Sequence, residues 1–278
     1  MNKLKDNIKV RPFLKWPGNK YRLIDFILPK LPQKKVLIEP FLGSGAVFLN
    51  TNYENYILSD ANSHVINLYK ILQQYGDEFI TFCSQFFIST NNVAIEYYKI
   101  REKFNNMNDD PITKAALFLY LNRHCYNGLC RFNKKNKFNV PFGRHNNIIF
   151  PAKAMKVFFL KSQRAKFFVR DFKESLTKVI QHNSVVYCDP PYVPLSNTAN
   201  FINYQADGFD LNNQKVLADL AAKLSKKGVP VLISNHFTCF TKKIYSQATT
   251  FTTFQVKRMI SCKAESRNYV TEMLALYS

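Results

Sequence analysis

Two apolar runs near the start constrain the architecture most. "KKVLIEPF" (34–41) reads as a buried strand running into a glycine-containing turn, and "NYILSD" (55–60) as a second strand ending in an acid. "NSHVINLYKILQQYG" (62–76) then has helical apolar spacing at Val65, Leu68, Tyr69 and Leu72, with Asn62 or Ser63 as its cap. Strand, glycine loop, helix, strand, acid, helix is the order of a nucleotide-type α/β unit. Alternation resumes with the strands "AKFFVRDF" (165–172) and "NSVVYCDPPY" (183–192), the helix "LNNQKVLADLAAKLSKKG" (211–228) and the strand "VPVLISNH" (229–236). "TTFTTFQVKRMIS" and "VTEMLALYS" read as two closing strands, paired as a hairpin.

The middle is different. "VAIEYYKIREKFNN" and "DPITKAALFLYLNRHC" are helical in pattern, and "YNGLCRFNKKNKFNVPFGRHNN" reads as a loop plus a basic hairpin around Lys134, Lys135, Asn136 and Lys137. Strand–helix alternation is missing between about 62 and 160. The expectation is one α/β domain from 1–61 and 161–278, interrupted by a mostly helical insert, 62–160, that faces DNA. A chain of 278 residues with 46% hydrophobic residues is large enough to bury such a core.

Charge points to the partner. Lys+Arg is 39 against 19 for Asp+Glu, a formal net charge of +20. From Pro111 to Arg170 there are thirteen cations and no Asp or Glu. A solvated face normally mixes signs, so phosphate neutralisation is the reading preferred for this window. The chain has no run near the ~20 apolar residues of a membrane span, and "MNKLKDNIKVRPF" lacks the apolar core of a signal peptide. The six cysteines show no CxxC pairing and read as reduced intracellular thiols. No metal site is expected.

Four stretches carry chemistry. In "VVYCDPPY", Asp189 ends an apolar strand, which in open α/β sheets is where ligands bind. Pro190 and Pro191 stiffen the turn and lack N–H donors, so Asp189 and the Pro190 carbonyl together suit a group with two N–H bonds, such as an exocyclic amine. Tyr192 offers a flat face for a planar ring. In "EPFLGSGAVFLN", Gly43 and Gly45 permit close backbone approach, and Phe41 beside them suits a cation or an adenine. Asp60 in "SDAN" can take two ribose hydroxyls or cap the following helix. In "FLKWPGNKYRL", Lys20 can hold a carboxylate and Trp16, the single tryptophan, can wall an apolar cavity or simply sit in the core.

These residues resemble the Dam-type DNA adenine-N6 methyltransferases. The segments that carry the resemblance are "FLKWPGNK", "VLIEPFLGSGAVFLNT", "YILSDAN", "LFLYLNR", "YNGLCRFN", "FNVPFGR", "VVYCDPPYVPLS", "TANF", "PVLISNH" and "EMLALYS", in the family's order. The resemblance implies a Rossmann-like S-adenosylmethionine methyltransferase sheet with helices on both faces, plus a target-recognition insert. It implies S-adenosylmethionine as cofactor and duplex DNA as partner, with methylation of a flipped adenine in GATC. It assigns cofactor contacts to Trp16, Lys20, Phe41, Gly43, Gly45, Asp60 and Asp189, and to Asp171 of the "DF" pair. Asp189, Pro190 and Tyr192 form the catalytic clamp. Tyr126 matches a side chain that wedges into the duplex, with Asn127 beside it. Lys15, Leu129, Arg131 and Pro141 match positions that read bases, and Arg144 joins them on the DNA. Pro17, Asn19, His145, Phe237 and the segment 261–268 depart from the family's pattern and bear on sequence preference. The remaining alternatives are methylation of another amine, in RNA adenine or a protein glutamine, and a decayed, non-catalytic DNA-binding repressor. A cytoplasmic protein of a prokaryotic or phage-infected cell is expected, a monomer or weak dimer with no obligate protein partner.

Overall fold

The structure is a computed structural model, and it describes residues 9–178, 183–195, 209–257 and 269–278. The "TANF" segment (198–201) and the departure at 261–268 lie outside the described residues.

The chain forms two compact units. The second comprises Phe26–Phe41, Tyr53–Ser59 and Arg170–Ser278 and holds a mixed sheet. Its strands are β1 (Val36–Glu39), β2 (Asn55–Asp60), β4 (Ser184–Cys188), β5 (Val231–His236), β6 (Thr250–Lys257) and β7 (Tyr269–Tyr277). They lie in the order β2-β1-β4-β5-β7-β6, while β3 (Ala165–Val169) belongs to the first unit. β2, β1, β4 and β5 are parallel, and β7 runs antiparallel to both β5 and β6. β1 and β4 are buried at every residue, which is why their sequences are unbroken apolar runs rather than alternations. The chain leaves β1 toward β2 on one side and β4 toward β5 on the other. The crevice at the carboxyl ends of β1 and β4 is therefore the topological switch point, where such sheets bind ligands. The expected α/β class is the class observed, and the closing strands form the expected hairpin pairing.

The first unit comprises Met1–Asp25, Leu42–Asn52 and Asp60–Val169. Its helices include Ala46–Asn50, Ser63–Ser84, Ala94–Asn106, Pro111–His124 and Ala152–Ser162. Asn62 caps the long helix by accepting from His64 N and Val65 N. That helix does not stop at Gly76 as its sequence suggests. It kinks there, at φ 48°, and continues to Ser84, because the missing Cβ lets the Phe159 ring pack where a side chain would stand 2.7 Å away.

The basic hairpin is present in its shortest form. Phe132 and Phe138 pair as an antiparallel bridge, Asn133 N donates to Lys137 O at 2.9 Å and Asn139 N to Arg131 O at 3.2 Å, without extended strands. The two arms' apolar residues go into an aromatic cluster. Phe132 stacks on His64 at 4.9 Å and meets Phe138 edge-on at 5.5 Å.

The acid-free window also divides. Lys161 donates to the Leu49 and Thr51 carbonyls at the end of the helix Ala46–Asn50, where a cation is favoured. Arg123 donates to the Phe13 and Ile149 carbonyls, Lys114 to Met107 O, and Lys156 pairs with Asp77. Part of the positive excess thus serves the unit's own backbone rather than a partner. The five described cysteines, at 83, 125, 130, 188 and 239, are free thiols. Among the described residues no helix is long and apolar enough to cross a membrane.

Candidate active site

Within the second unit, β4 delivers Asp189 to the switch point. Ser234 on the neighbouring β5 donates to Asp189 Oδ1 at 3.0 Å, and its Oγ also lies 3.3 Å from the Cys188 carbonyl and 3.1 Å from Tyr187 OH. One hydroxyl therefore pins both the strand end and the carboxylate. The next carbonyls differ from each other. Gln214 Nε2 donates to Pro191 O at 2.8 Å, whereas the buried Pro190 carbonyl takes no hydrogen bond from any described residue. A carbonyl with no donor among the described residues, beside a pinned carboxylate, is a place where an incoming N–H is favoured.

A buried polar network fixes the turn from behind. Asn235 Oδ1 accepts from Val193 N at 3.1 Å, and Asn235 Nδ2 donates to Gln214 Oε1 at 3.1 Å. Tyr245 OH donates to the same Gln214 oxygen at 2.6 Å. Gln214, Asn235 and Tyr245 are each fully buried. Tyr192, between these anchors, donates its hydroxyl to Glu272 Oε2 at 2.9 Å and meets His236 edge-on at 4.8 Å. Burial first, then the Asp189 charge, pushes the Tyr192 phenol well above its ordinary range, so it stays neutral.

At the end of β1, Phe41 stacks on Phe172 at 5.4 Å and meets Phe209 edge-on at 5.5 Å. The three rings form a wall suited to a flat heterocycle. Asp171 is exposed, and its Oδ1 accepts from Lys173 N at 2.8 Å at the start of the helix Phe172–Lys178.

Within the first unit, Trp16, Gly43 and Asp60 come together. Gly43, at φ 49°, packs so closely on the indole that a Cβ would lie 2.7 Å from Trp16 Nε1. Its N–H donates to Asp60 Oδ2 at 2.9 Å, and its carbonyl accepts from Tyr69 OH at 2.7 Å. Asp60 Oδ1 accepts from Asn62 N at 2.9 Å. Asn62 is the helix cap, so the cap reading of Asp60 falls away. Each Asp60 oxygen retains acceptor capacity, which fits a vicinal diol. Burial pushes this carboxyl up, against the two backbone donors that pull it down. Gly45 caps the helix Ala46–Asn50 at φ 71°. Lys20 is buried and donates to Gly18 O at 2.7 Å.

The same unit gathers the base-reading candidates. Tyr126 N donates to Pro141 O at 2.9 Å, so the stretch from Tyr126 to Arg131 runs beside that from Asn139 to Arg144. Tyr126 is 52% exposed. Asn127 and Arg144 have positive φ, 52° and 49°, and both are exposed. Arg131 Nε donates to Asn139 Oδ1 at 2.9 Å on an exposed side chain. Leu129 is half-buried and Pro141 exposed. Lys15 Nζ donates to Arg123 O at 3.1 Å and lies 3.5 Å from His145 Nε2. Burial, and then Arg123, hold the Lys15 ammonium below its ordinary range.

Sequence reasoning missed Ser234, Gln214, Asn235, Tyr245, Glu272 and Phe209. Ser234, Asn235 and Glu272 lie in the quoted segments "PVLISNH" and "EMLALYS", but nothing in those segments assigned them a role. Gln214, Tyr245 and Phe209 gave no local signal.

The model of the D12 class N6 adenine-specific DNA methyltransferases matches residues 16–261. The DNA adenine methylase of Escherichia coli (strain K12) is 46% identical over 269 residues, covering 97% of this chain and 96% of that protein. The DNA adenine methylase of Serratia marcescens is 47% identical over 270 residues, covering 97% and 99%. That of Vibrio cholerae serotype O1 is 44% identical over 271 residues, covering 97% of each.

Proposed function

Because the chain belongs to the D12 class of N6 adenine-specific DNA methyltransferases, we propose that it methylates the N6 of an adenine flipped out of duplex DNA within GATC, with S-adenosylmethionine as methyl donor. The observation that carries the reading is the acceptor pair after β4. The Asp189 carboxylate is pinned by Ser234, and the Pro190 carbonyl beside it lacks a donor among the described residues. Two acceptors side by side match the two N–H bonds of an exocyclic amine and draw its lone pair out of the ring.

Asp60 would take the ribose hydroxyls of the donor, with Trp16, Gly43, Gly45 and Lys20 assigned around it in the first unit. In the second, Phe41 and Asp171 are assigned to the donor. When bound, S-adenosylmethionine supplies an electrophilic sulfonium methyl. The clamp's contribution is position. Asp189 and Pro190 hold the amine, Tyr192 stacks on the base, and the hydroxyl bond to Glu272 keeps that ring from turning. Tyr126, exposed and flanked by a left-handed Asn127, is suited to fill the gap an extruded base leaves. Lys15, Leu129, Arg131 and Pro141 would read bases, Arg131 as the bidentate partner of a guanine. Arg144 and other exposed cations would hold phosphates. In domain terms, 62–160 is the target-recognition insert and 1–61 with 161–278 the catalytic part. The protein would act on DNA in the cytoplasm as a monomer or weak dimer.

The test is incubation of unmethylated plasmid with the protein and S-adenosylmethionine, followed by nucleases that differ in sensitivity to methylated GATC. Protection from the methylation-blocked nuclease and cleavage by the methylation-requiring one are expected. Methyl transfer with an unchanged GATC digest would overturn the site assignment.

A further inference from the structure

Asn122 lies in the helix Pro111–His124 and is fully buried. Its side-chain amide grips one residue of the N-terminal segment on both sides. Lys15 N donates to Asn122 Oδ1 at 2.9 Å, and Asn122 Nδ2 donates to Lys15 O at 2.7 Å. This is the bonding a neighbouring strand would supply, delivered by one side chain. The Lys15 stem is confined as well. It lies against Gly128, at φ 63°, where a Cβ would stand 2.3 Å from Lys15 Cβ and 2.6 Å from Lys15 Cδ. The ammonium end is then directed by the Arg123 carbonyl, 3.1 Å away. Backbone, stem and head of Lys15 are all set before any ligand arrives.

A lysine is ordinarily a flexible point charge, poor at telling one acceptor from another. Fixing it removes the rotamer freedom that would otherwise be lost on binding, and narrows the acceptors it can meet. The geometry points to Asn122 as a positioning residue for base recognition, which aims Lys15 at one base of the site and thereby sets sequence discrimination. This rests on the reading of Lys15 as a base contact.

The unit holds a built-in comparison. Asn50 grips Val10 in the same way, with Val10 N to Asn50 Oδ1 at 2.8 Å and Asn50 Nδ2 to Val10 O at 2.9 Å, but Val10 carries no group that can read a base.

The experiment measures kcat/KM on duplexes carrying GATC and its one-base variants outside the target adenine, for the wild type, Lys15→Ala, Asn122→Asp and Asn50→Asp. Asn122→Asp is isosteric. It keeps the acceptor for Lys15 N but sets a carboxylate oxygen against Lys15 O. At the position where Lys15→Ala relaxes discrimination, Asn122→Asp should relax it too, with GATC falling about tenfold and that variant duplex about threefold or less. Asn50→Asp should shift all duplexes in parallel. The double variant of Lys15 and Asn122 should discriminate no worse than Lys15→Ala alone. If Lys15→Ala relaxes discrimination and Asn122→Asp lowers every duplex equally, Asn122 is merely structural and the inference fails. If Lys15→Ala itself changes no preference, the base-contact reading fails first, and the inference with it. Should Asn122→Asp not fold, Asn122→Ser removes the donor without adding charge, and the same comparison applies.

Discussion

In the second unit, Val186 of β4 is held between Ile38 of β1 and Val231 of β5. In the first unit, Val10, Lys15 and Phe138 take backbone partners from the side-chain amides of Asn50, Asn122 and Asn105. Both devices satisfy extended chain, but they distribute strain differently. A ladder shares a displacement over many bonds, so the strand ends that carry Asp189 and Phe41 keep their places. An asparagine grip concentrates it on one residue, so a single substitution re-aims a single side chain. In the proposed function the amine clamp stands on the ladder, and the candidates for base recognition stand on loops with left-handed residues such as Asn127 and Arg144.

The largest effect expected is at the ladder's end. Asp189→Ala should abolish detectable methylation while circular dichroism and DNA binding persist. Turnover near normal would remove the acceptor pair from the mechanism. Next is the buried network behind the turn. Gln214→Leu removes the amide donor to the Pro191 carbonyl and takes from Asn235 and Tyr245 their shared oxygen. We expect kcat to drop on the order of 100-fold with KM for DNA little changed. A loss confined to KM would show that the network serves binding instead.

Arg131→Ala acts on the reading side. It should cost about 1–3 kcal/mol at one base position and little elsewhere. Equal loss on every one-base variant of the site would place Arg131 on phosphate.

The smallest effect concerns acid. Burial holds the His124 imidazole at about 4, below the ordinary 6.5, and the ring stacks on Tyr120 at 3.9 Å. A lowered folded value means neutral His124 favours the fold. That stability is complete above 6.5 and is lost as pH falls toward 4. Between pH 7 and pH 5 it amounts to roughly 2 kcal/mol. Urea midpoints should fall over that interval in the wild type and fall less in His124→Gln. Parallel slopes would mean that His124 takes no part.

How much of this was legible follows from the range of the forces. The strands around 36–39, 184–188 and 231–236 announced themselves because both faces are buried, and a doubly buried strand must be apolar throughout. The turn at Asp189 was legible because proline chemistry is local. Asn122 was not. It ends the run "ALFLYLN", which reads as a core helix, and its partner lies 107 residues away. Glu272 reaches Tyr192 across 80 residues. The cations of the 111–170 window looked alike in sequence, yet Lys161 closes a helix end while Arg131 faces outward.

By itself, then, the sequence determined the alternation of elements and the stiff acidic turn after β4, since apolar periodicity and turn stereochemistry act over a few neighbours, and its resemblance to a family nominated the site residues. Only the tertiary structure decided which polar side chains hold those residues still. Hydrogen bonds between distant segments exist once the chain has brought them within 3 Å, and no local pattern encodes that meeting.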